Sequence, residues 1–408
     1  MAERLARRLG TADAVVIGLG SMLGAGVFAV FGPAAAVAGP GLLIGLAIAA
    51  VVAYCNATAS AQLAAQYPTS GGTYVYGRER LGPWAGFLAG WGFVIGKTAS
   101  CAAMALTFAA YAVPEPLQRP VAVAAVLGLA AVNYRGVTRT ARLATVLVVV
   151  VLVVLGVVVV GGSAGTKTLP LGDPADAYGV LRSAGLIFFA FAGYARIATM
   201  AEEVREPERT IPRAIVLALG TTVVVYAAVA VTALTVLGPG RLAVSQAPLR
   251  DVAAAAIGTW AVPVVAAGGA AAALGALLAL IAGVGRTALA MARHDDLPAW
   301  LAAVHPRFRV PHRAEIVLAV VVSALVLAVD LREVIAFSSF GVLLYYLVTN
   351  LAAYTQDRRR YPRWLQVIGA AGCLLLVATL PWPVVAAGAA VYAIGAAYRL
   401  VRLRSAAR

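Results

Sequence analysis

The chain has 408 residues, 62% of them apolar and only 12% charged, with a mean hydropathy of +0.90. Such a composition excludes an ordinary soluble protein and points to a polytopic membrane protein. The formal net charge of +15 does not make it a nucleic-acid binder, because the basic residues sort by loop instead of clustering on one soluble face.

A short basic head, Met1 to Gly10, leads directly into the first apolar run without a cleavable signal pattern, so the first helix is expected to persist. Apolar runs fall at roughly 13–37, 41–65, 83–112, 119–134, 141–161, 179–203, 212–237, 251–291, 315–330, 334–354, 364–380 and 382–402. Most reach the roughly 20 residues that a helix needs to cross a bilayer. The expected fold class is therefore all-α, with twelve transmembrane helices in one transport domain covering 1–408 and no soluble domain. With the amino terminus inside, the inner segments carry most of the arginines, among them Arg4, Arg78, Arg135, Arg205, Arg293, Arg358 and Arg402. The outer segments carry only Arg119, Lys167, Arg182, Arg241, Arg250 and Arg332. That bias is the positive-inside rule, and it directs both termini to the cytoplasm of a bacterial-type inner (plasma) membrane.

Two runs are interrupted. The first holds Gly18, Gly20, Ser21, Met22, Gly24, Ala25 and Gly26, where a regular span would avoid glycine. The second break is expected at Phe189 to Tyr194, around Gly193. In hydrocarbon a broken helix is tolerated only where the freed backbone faces protein or a watered cavity. The fourth and ninth runs, Pro120 to Asn133 and Ile316 to Val329, are short. With the breaks they occupy corresponding places if 11–161 and 179–354 are two five-helix halves, which reads as an inverted repeat with a site near the midplane. Helices from about Trp364, residues 364–402, lie outside it in a peripheral or oligomer-contact role, as monomer or homodimer.

The first break offers N–H groups near Gly24 to Val27 to a carboxylate, while the carbonyls of Gly20, Ser21 and Met22 can accept from an ammonium. Together they read a zwitterion without a charged side chain; close helix packing alone is the plainer use of the same glycines. Lys97 lies mid-span in the third run, where a charge is a functional candidate by default. It is also a candidate coupling group, since burial lets a lysine exchange its proton. Cys55, Cys101 and Cys373 lack paired spacing and are expected as small buried residues, with no metal and no cofactor. His294, His305 and His312 share one loop, which argues against an embedded enzyme. A channel would require a symmetric pore. From Ala261 to Gly285 the eighth run has no Ser or Thr.

Gly20 to Phe28, then Phe188 to Tyr194 running into Ala201, Glu202, Glu203, Val204 and Pro207, then Arg286 to Arg293 before Asp296, Leu297 and Pro298 together resemble the amino acid–polyamine–organocation permeases. The resemblance spans the first ten helices. It implies a LeuT-like five-plus-five repeat with broken helices 1 and 6. It implies amides of Gly24, Ala25 and Gly26 on the substrate carboxylate, and carbonyls of Met22, Phe189 and Ala192 on the amine. Phe189 would close over the substrate, with Phe191 either a second gate or core. Glu202 or Glu203 would pair with inner arginines as a cytoplasmic lock, or simply be solvated. Lys97 aligns with a substrate-contacting position of the family, where a cation disfavours guanidinium tails. Proton-coupled members carry a Lys in the fifth helix, yet Val151 stands there. Arg196 replaces a small residue after the second break and is either a coupling candidate or the partner of a carboxylate. Sodium coupling in this fold uses hydroxyls of the eighth helix, so sodium independence is expected. The expected function is a secondary active transporter of amino acids or related amines, by proton symport or exchange; the alternative is a cationic amino acid or polyamine antiporter.

Overall fold

A computed structural model describes residues 9–68, 71–136, 141–164, 176–199 and 204–406. Among them helix dominates. The first run forms α1 (Thr11–Met22), α2 (Ala25–Ala29) and α3 (Phe31–Ala38), followed by α4 (Leu42–Gln66). Next come α5 (Thr73–Leu81), α6 (Pro83–Ala112), α7 (Glu115–Tyr134) and α8 (Ala141–Ser163). The second half of the chain opens with α9 (Ala177–Phe191) and α10 (Ala195–Thr199), then α11 (Pro207–Val244), α12 (Pro248–Ala256) and α13 (Ala261–Arg293). It closes with α14 (His312–Ala328), α15 (Leu331–Tyr354), α16 (Arg363–Ala378) and α17 (Trp382–Ala406). Ten helical stretches of the described residues are long and apolar enough to cross a membrane. α14 and α16, with 17 and 16 residues, fall below that length.

Four boundaries differ from the sequence reading. The stretch Gln66–Gly82, read as a loop, contains α5. Gly72 and Gly82, at φ 56° and 98°, adopt the left-handed backbone that starts and stops this short helix. The fourth run is not short, because α7 begins at Glu115 with Pro116 in its first turn, where a missing N–H costs nothing. The single run 251–291 divides into α12 and α13 at Gly258, whose φ is 117°. The seventh helix runs on to Val244 past a kink at Gly238.

α6 lies between α13 and α15, and its tight seam with α15 follows from residue size. A Cβ on Gly341 would stand 2.8 Å from both the Gly92 carbonyl oxygen and the Gly96 Cα, so the backbones meet across a Gly-x-x-x-Gly face. α8 shows the opposite chemistry. Val146, Val149, Val153 and Val160 project outward, as a helix side bathed in hydrocarbon should. Cys55, Cys101 and Cys373 are all buried. One end of the bundle carries both Leu9 and Arg402 and is called here the terminal end. At that end Leu9 pairs with Val204, and the Arg205 N–H donates to the Leu9 carbonyl (2.9 Å). The segment before α1 is thereby tied to the segment beyond α10.

Candidate functional site

The first interruption is narrower than its glycine content suggests. α1 ends with the Leu23 N–H on the Leu19 carbonyl (2.7 Å), and Gly24, at ψ −142°, turns the chain before α2 begins. Val30 is itself helical, with the Val30 N–H on Gly26 and the Ala34 N–H on Val30, so α2 and α3 continue as one helix. Only Leu23 and Gly24 leave the helical path. The other glycines serve packing. Gly18 lies against Ile197 and Ala218, Gly20 against Val148. The N–H groups that open α2 have no partner within their own helix, which is the ordinary condition of a helix start.

The second interruption is a tightened turn instead of an open loop. α9, capped at Asp176 by a bond from the Gly179 N–H (2.9 Å), runs through Phe191, and Ala192–Tyr194 forms one 3-10 turn before α10. The Ala192 N–H returns to the Phe189 carbonyl.

The two interruptions touch. A Cβ on Gly193 would fall 2.4 Å from the Ser21 carbonyl carbon and oxygen, and a Cβ on Gly26 would fall 2.7 Å from the Ala190 Cα. Only bare backbone fits at either contact. Three tyrosines, none of them singled out from sequence, serve these backbones. The Tyr226 hydroxyl of α11 lies within hydrogen-bond distance of the carbonyls of both Met22 and Ala190 (3.0 Å to the latter), bridging the two interruptions. Tyr111 donates to the Phe28 carbonyl (2.9 Å) and accepts from the Leu249 N–H (3.1 Å). Tyr346 places its hydroxyl 3.5 Å from the Ala192 carbonyl oxygen and stacks on Tyr194. No local signal marks Tyr226, because α11 also carries Thr221, Thr222, Thr232 and Thr235 and the carbonyls it serves lie far away in the chain.

Lys97 is buried at mid-α6, and its Nζ donates to the Ala192 carbonyl (3.3 Å). Thus three carbonyls expected to face an amine already have donors: Met22 from Tyr226, Phe189 from Ala192, and Ala192 from Lys97. Ala25, Cys101, Phe189 and Ala276 belong to one buried cluster, and α2 packs against α6, α9 and α13. Phe191 belongs to the other main cluster, its ring 5.0 Å from that of Tyr226. Val151 is buried on α8. Arg196, at the start of α10, is half-buried. Glu202 and Glu203 lie outside the described residues. Gly20, Ser21 and Gly193 keep partial exposure, whereas Val27, Phe28, Phe189 and Ala190 are buried.

Away from the interruptions the terminal end holds a second polar group of residues. Asp296, 3% exposed, accepts from Arg78 of α5 (2.9 Å), from Arg399 of α17 and from the Tyr74 hydroxyl (2.7 Å). Burial, and then the Asp296 carboxylate it faces, push the Tyr74 hydroxyl above its ordinary pKa. Arg402 adds a bond to Asp295 (3.0 Å).

The family model described as "Amino acid permease" matches residues 9–398. An uncharacterized transporter of Mycobacterium tuberculosis is 59% identical over 408 residues, covering 98% of this chain and 92% of the relative. Cationic amino acid transporter 7, chloroplastic, of Arabidopsis thaliana is 28% identical over 392 residues (88% and 66%). The branched-chain amino acid permease BcaP of Bacillus subtilis is 24% identical over 419 residues (93% and 89%).

Proposed function

The chain belongs to the amino acid permease family of the amino acid–polyamine–organocation superfamily, and from that premise we propose that it carries an amino acid through a site built at the two touching helix interruptions. It is a multi-pass membrane transporter, not an enzyme. The observation that supports this site is the backbone contact of Gly193 with Ser21, which brings two sets of freed peptide groups to one point.

In this reading α14 and α16 also cross, for twelve spans, and 11–161 and 179–354 form the two inverted halves, with 364–402 outside them. The amides of Gly24, Ala25 and Gly26 hold the carboxylate at the positive end of the α2–α3 helix. Carbonyls of Gly20, Ser21, Met22, Phe189 and Ala192 offer themselves to the ammonium. Those of Met22, Phe189 and Ala192 are engaged in this conformation, so amine binding exchanges one donor for another. The partial exposure of Gly20, Ser21 and Gly193, against the buried Phe189 and Ala190, favours a path opening toward the terminal end, with Phe189, backed by Phe191, closing the other side. Glu202 and Glu203 would lock the terminal end when the path reverses. Positive-inside asymmetry makes that end cytoplasmic in an inner membrane. Transport proceeds by proton symport or exchange, without sodium, and Lys97 and Arg196 are the candidate coupling groups.

Counterflow in proteoliposomes of the purified protein, with a panel of labelled amino acids and with or without a pH gradient, tests the proposal. Exchange of at least one primary amino acid is expected; none at all would refute it. Lys97→Ala is expected to flatten the pH dependence of uptake, and an unchanged pH profile would remove Lys97 from coupling. A cationic substrate, as the name of the Arabidopsis relative indicates for that protein, is the alternative reading.

A further inference from the structure

Lys97 is the charge at the junction that has no opposite charge beside it. It is 6% exposed and donates to a backbone carbonyl, and among the described residues no carboxylate pairs with it. Its acceptor, Ala192, belongs to the turn that ends α9, a helix of 15 residues whose carbonyl end carries partial negative charge. That dipole holds the ammonium while no solute is bound. The buried carboxyl groups of Asp296 and Glu315 are elsewhere, at the terminal end, the first held by Arg78 and Arg399 and the second facing Arg286.

A neutral amino acid entering this junction would bring an ammonium that competes with Lys97 for the Ala192 carbonyl, and it would leave one net positive charge buried. A cationic one would leave two. Uncompensated charge in a low-dielectric interior is the most costly arrangement available to the site. Resting on the reading of the paired interruptions as the solute site, we infer that the solute carries one net negative charge and that Lys97 is its counter-ion. For an amino acid this means a carboxylate side chain. The α-ammonium then takes the Ala192 carbonyl, and the α-carboxylate takes the α2 amides. Lys97, on its flexible four-carbon stem, turns from Ala192 to the side-chain carboxylate in a charge-assisted hydrogen bond. Lys97 and the solute together then carry no net charge.

A solute with one carboxylate and no amine has the same net charge and would leave Lys97 on Ala192, so the experiment includes one. Full-length protein in proteoliposomes is assayed by counterflow of labelled L-glutamate, L-aspartate, L-leucine, L-arginine and 4-methyl-2-oxopentanoate, for wild type, Lys97→Gln and Lys97→Met. Monodispersity and thermal unfolding verify that each variant folds. The wild type is expected to prefer glutamate or aspartate over leucine and arginine by at least about tenfold in kcat/KM. Removing one member of a buried charge pair should raise the KM for the acidic substrate by about tenfold or more and shift preference toward leucine. Wild type that moves leucine or arginine as well as glutamate overturns the inference while leaving the amino acid site standing. So does a Lys97→Gln variant with an unchanged glutamate-to-leucine ratio. Lys97-dependent exchange of the oxo acid alone keeps the counter-ion and refutes the amino acid reading; no exchange of glutamate or aspartate overturns the inference, and no exchange of any primary amino acid in the wider panel refutes the amino acid reading as well.

Discussion

At the residue scale, the junction depends on what is missing from two side chains and on what one hydroxyl adds. Gly193 meets Ser21 backbone to backbone, so even a methyl group must push α1 away. Gly193→Ala should abolish counterflow and lower the unfolding temperature. Gly128→Ala, at a helical position with nothing within 4 Å, should leave both unchanged or raise stability by up to about 1 kcal/mol. Comparison of the two variants separates the close contact from a general intolerance of alanine. Tyr226 bridges the Met22 and Ala190 carbonyls from a fully buried position. Tyr226→Phe keeps the ring against Phe191 but strands buried acceptors, at a cost of about 1–3 kcal/mol. Thermal unfolding in detergent should show that loss, and uptake should slow because the two interruptions are no longer coupled. The glycines were legible in the sequence because helices in hydrocarbon avoid them without cause. Tyr226 was not, since its importance lies in carbonyls distant in the chain.

At the scale of elements, α17 is less peripheral than its position after the repeat suggested. Its Arg399 enters a buried cluster with Asp296 and, through it, Arg78 of α5. The cluster joins the end of α13, a short helix that the sequence hid among polar residues, and the last helix of the chain. Arg399→Ala should destabilise the protein by about 3 kcal/mol, the low end for breaking a buried ion pair, because Arg78 still faces the carboxylate. Asp296→Ala, which leaves two arginines without their common partner, should cost at least as much; thermal melts of both variants check the order. The pairing of Leu9 with Val204 likewise ties the start of α1 to the chain beyond α10, so the two half-helices on that side are mechanically joined. Neither link has a periodic signature, because each is made by single residues meeting across the bundle.

For the molecule as a whole, the distribution of arginines and the hydroxyl-free stretch from Ala261 to Gly285 lead to two tests. Replacement of external sodium by choline should leave uptake unchanged, as measured by initial rates in proteoliposomes. In whole cells a membrane-impermeant thiol reagent should fail to label a cysteine placed at either terminus and succeed at one placed in the 165–175 segment. Membrane class and the approximate limits of most spans could be read from the chain alone, because hydrocarbon imposes a length and an apolar composition that are local properties of each run. Even the two interruptions were visible, since their residues violate that local rule. The extent of each interruption, the donors already occupying its carbonyls, the tyrosine that bridges both, and the meeting of Lys97 with Ala192 arose only on folding. They are contacts between residues tens to hundreds of positions apart, and small-residue packing between helices decides which of them come within reach.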